Sequence, residues 1–167
     1  MDFASFYLFI YLFLVIVVTF VERNRYADSK ARIGGTDNET GKLLLLSVAM
    51  SLFFGLRPHS YVFVDTMNYV LGYENNEGSM FVFDPNAENF IFDNLFSFFA
   101  SERLGITSFF VLIAIIYFGS VAIAMKRLFT NDACAAFVVF LAAFSTFSYG
   151  TNGVKAGAAA SLFLLAL

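Results

Sequence analysis

Five apolar runs divide this chain, and the polar stretches between them are short in all but one place. The first, ASFYLFIYLFLVIVVTFV (4–21), is long enough to cross a bilayer core, which asks for about 20 residues of helix. Only Met1, Asp2 and Phe3 precede it and no small-residue cleavage site follows, so it reads as a retained anchor and not a signal peptide. The second, LLLLSVAMSLFFGL (43–56), is short for a span unless Lys42 snorkels and the helix runs past Gly55. ITSFFVLIAIIYFGSVAIAM (106–125) and ACAAFVVFLAAFSTFSY (133–149) predict two further complete spans. A fifth opens near Gly153 and is cut off at Leu167, as in the N-terminal portion of a longer protein. The expected fold is an all-α integral membrane protein, one polytopic helix bundle over 1–167. It has about four complete transmembrane helices plus a truncated fifth (153–167).

The one long polar connection, 57–105, predicts structure of its own. Pro58 stops the second helix by withholding an amide. Asp65 and Thr66 fit an N-cap for TMNYVLGY, the carboxylate accepting orphaned amides. YENNEGS (73–79) is the expected exposed tip. In DPNAENFIFDNLFSFFASE (84–102), Asp84 and Pro85 signal a helix start. Phe92, Leu95, Phe96 and Phe99 then recur at helical spacing among Glu88, Asn89, Asp93 and Ser97. This predicts an interfacial amphipathic helix, a lid or wall over the spanning helices or one merely packed on them.

Charge orients the spans. Segment 22–42 carries Arg23, Arg25, Lys30, Arg32 and Lys42, and the turn 126–132 carries Lys126 and Arg127. The 57–105 connection holds only Arg57 and Arg103 against seven acids, among them Asp65, Glu74, Glu88 and Asp93. By the positive-inside rule, 22–42 and 126–132 are cytoplasmic, while the N-terminus, 57–105 and 150–155 face outward.

Composition agrees with this class: 59% hydrophobic residues, a mean hydropathy of +0.75 and 14% charged residues exceed what a soluble domain of this size could hide. With no Trp, the 24 Phe and 8 Tyr must supply the interfacial belts. A net charge of −3 argues against nucleic acid as a partner. Cys134 stands alone in an apolar run, so neither a disulfide framework nor a metal-ligand set is expected. No nucleophile elbow, phosphate loop or redox motif occurs, and no cofactor is implied. His59 reads as a solvated loop histidine. Two cations break the orientation rule: Arg57 directly follows the second span and Lys155 opens the fifth. Each either snorkels to lipid phosphate, pairs with an outer acid, or meets a substrate. An anionic lipid-linked substrate suits this rim, since cations clamp phosphate oxygens while a carboxylate acts as base.

The order of these pieces resembles the EpsG-type exopolysaccharide membrane proteins, grouped with the Wzy-type polysaccharide polymerases. GLRPHSYVFVDTMNYVLGY (55–73) is similar to the family's helix-end arginine followed by Asp-Thr and a tyrosine, here Arg57, Asp65, Thr66 and Tyr69. The stretch 88–129 looks like its glutamate-led amphipathic segment, with Glu88 matching, followed by a span and a basic turn. TNGVKAGAAASLFLLAL (151–167) matches its asparagine and small-residue helix, with Lys155-Ala156 where Arg-Gln is commoner. Lysine keeps the charge without the bidentate fork.

The resemblance implies a multi-pass protein of the bacterial inner membrane with its N-terminus outside. It would polymerise polyprenyl-diphosphate-linked glycan repeat units into exopolysaccharide, capsule or O-antigen at the outer face, without metal or cofactor. Arg57 and Lys155 would stabilise the diphosphate, Asp65 or Glu88 would take the acceptor proton, and Thr66, Tyr69 and Asn152 would line the substrate site. The alternative is a non-enzymatic membrane component of an exopolysaccharide complex, partnered by other assembly proteins. A small-solute transporter ranks last, because spans one, three and four carry almost no mid-bilayer charge.

Overall fold

Apolar runs without proline form helices, and the computed structural model is all-helical among the residues it describes, 3–31, 39–129 and 132–167. Its elements are α1 (Phe3–Ala31), α2 (Glu39–Gly55), α3 (Val64–Asn76), α4 (Phe90–Ser101), α5 (Ile106–Leu128), α6 (Ala133–Ala142), α7 (Phe144–Thr151) and α8 (Val154–Ala166). The basic Arg32 and residues 130–131 of the expected cytoplasmic turn lie outside the described residues, as do Met1 and Asp2.

The core is built around α5, which packs most extensively on α2 and α8, while α1 lies along α6. It starts after Gly105, at φ +84°, and ends with Lys126 and Arg127 in its last turn, where cations oppose the negative end of the helix dipole. Small residues bring α2 and α5 close: a Cβ on Gly55 would lie 2.6 Å from the Val111 Cα. Nearby, the Ser51 hydroxyl reaches the Ser47 and Ala114 carbonyls at 2.8 and 3.3 Å. Phe54, Phe118, Phe137 and Leu141 fill the interior without exposure, and Cys134 is buried with its thiol 3.6 Å from the Glu39 carbonyl.

Length and composition bear out the expected spans only in part. Among the described residues α5 is long and apolar enough to cross a membrane, and α6 with α7 qualifies only as a pair bent by 74°. The second run forms a 17-residue helix that gains its length at Glu39 rather than beyond Gly55. It is about 25 Å long, short of a ~30 Å core. The first helix continues to Ala31, well past the apolar run, so 22–31 is helix and not loop.

The fourth run, expected as one helix over 133–149, breaks at Ala143, whose ψ of 130° is extended. Neither Gly nor Pro causes this; side chains capture the carbonyls that the break exposes. The Thr146 hydroxyl and the Ala143 amide both donate to the Phe140 carbonyl, at 2.5 and 3.1 Å, and the Tyr11 hydroxyl donates to the Leu141 carbonyl.

The outer connection is also rearranged. The helix expected from Asp84 begins only at Phe90. Before it, the Asp84 carboxylate accepts the Asn86 amide, while Asn94 brackets Asp84 with a bond to each of its backbone polar groups. The Asp93 carboxylate accepts the Asn89 amide at 3.0 Å, securing the helix start. The third helix starts at Val64 with Phe63 at the cap position and no side-chain cap bond. Asp65 is therefore a first-turn acid and not the expected cap, and Thr66 points inward instead.

Candidate functional site

Arg57 enters the fold because Pro58 cannot donate. The Phe54 carbonyl would take the amide of residue 58, and Pro58 has none. The Arg57 Nη1 donates to that carbonyl instead, at 2.7 Å. The side chain thus turns into the protein, 2% exposed, with Cζ 4.3 Å from the centre of the Phe110 ring. Its Nε and Nη2 donate to the Thr66 hydroxyl oxygen at 3.3 and 3.0 Å. Among the described residues no carboxylate pairs with it. Burial pushes the guanidinium down to about 10, with nearby Tyr7 pulling the other way, which leaves it a cation at neutral pH.

Thr66, wholly buried, passes the connection on. Its hydroxyl donates to the Thr151 carbonyl at 2.6 Å, tying α3 to the last residue of α7. The Asn152 and Gly153 amides close α7 on the Ser148 carbonyl at 2.8 and 3.1 Å. The Gly157 amide then reaches the Gly153 carbonyl, and α8 begins. In this two-residue turn the Asn152 Oδ1 is buried without a hydrogen-bond donor among the described residues. Lys155 lies in the first turn of α8, half-buried, its Nζ 5.8 Å from the Phe92 ring centre. No hydrogen bond or ion pair involves it among the described residues. A cation at a helix N-terminus works against the macrodipole, and the Phe92 ring face only partly offsets this.

Tyr69, one turn beyond Thr66, joins the two cation-bearing rings. Its ring lies 6.4 Å from Phe110 and 5.5 Å from Phe92. Burial raises the phenol above its ordinary value, and the Asp65 and Asp93 carboxylates raise it further. Arg57, Thr66, Tyr69, Asn152 and Lys155 are thus drawn to one end of the bundle from three separate stretches, with Asp65 exposed at its margin. Glu88 stands apart. It is exposed in the turn before α4, lining a polar depression of about 400 Å³ with Asp84, Asp93, Asn94 and Ser97.

Three participants escaped the sequence reading. Phe110 is hidden in an apolar run, and Thr151 acts through its carbonyl, which no side-chain pattern announces. Asp93 reads as one polar position of an amphipathic helix. His59 is exposed, 5.7 Å from the Phe110 ring, and its imidazole pKa is lowered by partial burial and by Arg57, with Glu74 opposing.

The space around Arg57 differs on its two sides. Inward is a chamber of about 10 Å³ bounded by Tyr117, Tyr149 and Gly150, room for about one water. Between α1 and α2 runs an open apolar trough of about 540 Å³, lined by Leu14, Val18, Leu46, Phe53 and Leu56 and ending at Arg57 and Pro58. Among the described residues no group of three or more His, Cys, Asp or Glu could hold a metal ion. Compared with protein-family models, curated proteins and solved structures, the chain matches none.

Proposed function

We propose that this chain is part of a multi-pass membrane glycan polymerase of the EpsG/Wzy kind, working on polyprenyl-diphosphate-linked repeat units at the outer face of a bacterial inner membrane. The observation that carries the reading is the pair at the turn between α7 and α8. Among the described residues an acceptor without a donor, Asn152 Oδ1, stands three residues from a cation without an anion, Lys155. A sugar phosphate offers phosphoryl oxygens for the ammonium, and its hydroxyl would meet the buried amide oxygen only where the turn opens. The trough between α1 and α2 has the chemistry for a hydrocarbon tail. Phe9, Phe13, Ile16 and Phe20 on α1, with Leu45 and Val139, are exposed apolar groups that lipid would cover.

In this reaction an acceptor sugar hydroxyl attacks the anomeric carbon of the donor chain. The new C–O bond forms as the bond to the diphosphate breaks, and the polyprenyl diphosphate departs with the electron pair. Lys155 offsets the charge that develops on the leaving group. A carboxylate takes the hydroxyl proton, and Asp65 is better situated than Glu88, because it lies in the first turn of α3 next to Thr66 while Glu88 lines the depression before α4.

The test replaces Lys155 with Ala and, separately, with Arg in the full gene product, in cells lacking their own copy, at matched protein levels. Loss of long surface polymer with Ala and its retention with Arg is the expected result. Unchanged polymer with Ala would defeat the catalytic reading and leave a non-enzymatic assembly component ahead.

A further inference from the structure

We propose that Arg57 and Thr66 are positioning residues, which act through the Thr151 carbonyl to set the turn that presents Lys155. This deepens the polymerase reading and rests on it for the role of Lys155.

The hydrogen bonds leave little room for another role. The Thr66 oxygen accepts from two guanidinium nitrogens and spends its single proton on Thr151, and the side chain has no surface. A ligand would have to displace a guanidinium or a carbonyl to touch it. Arg57 is almost as enclosed, yet carries a charge that among the described residues only neutral acceptors and a ring satisfy. Burying an unpaired charge is costly, and a helix end could be closed more cheaply. What the arrangement secures is the end of α7.

That end has reason to move. The break at Ala143 makes α7 an eight-residue segment hinged at its start, held there by Thr146 and at its far end by the Thr66 bond to Thr151. Beyond Thr151 the chain has no slack. A Cβ on Gly153 would meet the Tyr149 ring at 2.9 Å, and one on Gly157 would meet the Tyr149 Cβ at 2.9 Å and its carbonyl oxygen at 3.3 Å. With α8 folded so tightly on α7, a shift of Thr151 carries over to Lys155, four residues on.

The experiment places a reporter cysteine at the exposed Ala156, with Cys134→Ala removing the chain's other thiol, in protein purified into nanodiscs. Reaction with a soluble maleimide is timed in three forms, carrying Thr66, Thr66→Ser or Thr66→Val. Thr66→Val is expected to change the rate about fivefold, the equilibrium worth of one hydrogen bond, while Thr66→Ser leaves it unchanged. Arg57→Lys, which keeps the charge without the fork, is expected to change it in the same direction and serves if Thr66→Val does not accumulate. Surface polymer length in cells is the second readout: Thr66→Val shortens it, Thr66→Ser restores it, and Thr66→Val adds nothing to Lys155→Ala. Equal labelling rates in all forms would overturn the relay whatever the polymer does. An altered rate with polymer indifferent to Lys155→Ala would keep the relay and reject the polymerase reading.

Discussion

The hydroxyl of Thr66 donates to the carbonyl of Thr151 at 2.6 Å across 85 positions of sequence, and the Arg57 guanidinium lies directly behind it. This order of dependence predicts an unequal pair of mutants. Arg57→Met removes the buried charge together with its need for acceptors, and leaves the Phe54 carbonyl short of a donor. A loss of about 1 kcal/mol is expected. Thr66→Val strands the guanidinium and the Thr151 carbonyl together, so about 2–3 kcal/mol is expected. The double mutant has no charge left to strand and should lose less than the sum of the two. Thermal or denaturant unfolding in one detergent measures all three, and strict additivity would mean that the two side chains are not coupled.

Backbone contact between helices makes a second contrast. Gly55→Ala would put a methyl 2.6 Å from the Val111 Cα and 3.1 Å from its nitrogen, which no side-chain movement relieves. Parting α2 from α5 should cost about 1–3 kcal/mol. At Gly119, in the middle of α5, an added Cβ meets nothing within 4 Å. There the better helix propensity of alanine should stabilise by up to about 1 kcal/mol. The same unfolding measurement decides; destabilisation by Gly119→Ala would show that its open side is covered by something outside the described residues.

Acid should act on His59. Partial burial and Arg57 favour the neutral imidazole, so its folded pKa lies below the ordinary value of about 6.5. A depressed pKa means that folding releases the proton. The contribution to stability is therefore full above the unfolded value and lost as pH falls through the folded one. His59→Asn should accordingly lose less melting temperature than the unaltered chain between about pH 7.5 and 5, since both share every other titrating group. The ring is exposed, so the difference will be small, and its absence would place His59 outside the field of Arg57.

How far the sequence was legible depended on whether a feature lived in side-chain patterning or in the backbone. Among the described residues the apolar runs and their spacing located the helical regions except for the split between α6 and α7, and Pro58 stopped α2 where expected. The bend at Ala143 left no comparable mark. FLAAFSTFS has no helix breaker, and its cause is three-dimensional, the reach of Tyr11 and Thr146 to two carbonyls. Likewise Asp65 and Thr66 form a plausible cap in sequence. The fold instead starts α3 earlier because the Thr66 hydroxyl is worth more against Arg57 and Thr151 than at a solvated helix end. Arg57 and Lys155 were identifiable as cations that the expected orientation disfavours. That one of them is enclosed and the other half-buried in the first turn of α8 could not be read from their positions in the chain.

In the proposed polymerase reaction, the choice of proton acceptor is also testable. Asp65 is exposed in the first turn of α3, and its charge reaches the Tyr69 phenol, which spans the rings beneath Arg57 and Lys155. Glu88 shares its depression with Asp84 and Asp93 and makes no bond to either cation. Should Asp65 take the acceptor proton, Asp65→Asn lowers polymer output by about 10²–10⁴-fold at unchanged protein level, and Glu88→Gln alters it far less. Tyr69→Phe keeps the ring packing and removes only the hydroxyl, so it should fold normally and lower output by a smaller factor. Because Asp65 caps nothing, Asp65→Asn should also leave the melting temperature almost unchanged, which separates a chemical defect from a folding one. Full output with Asp65→Asn and loss with Glu88→Gln would move the chemistry to the depression beside α4, and with it the place where the acceptor sugar must bind.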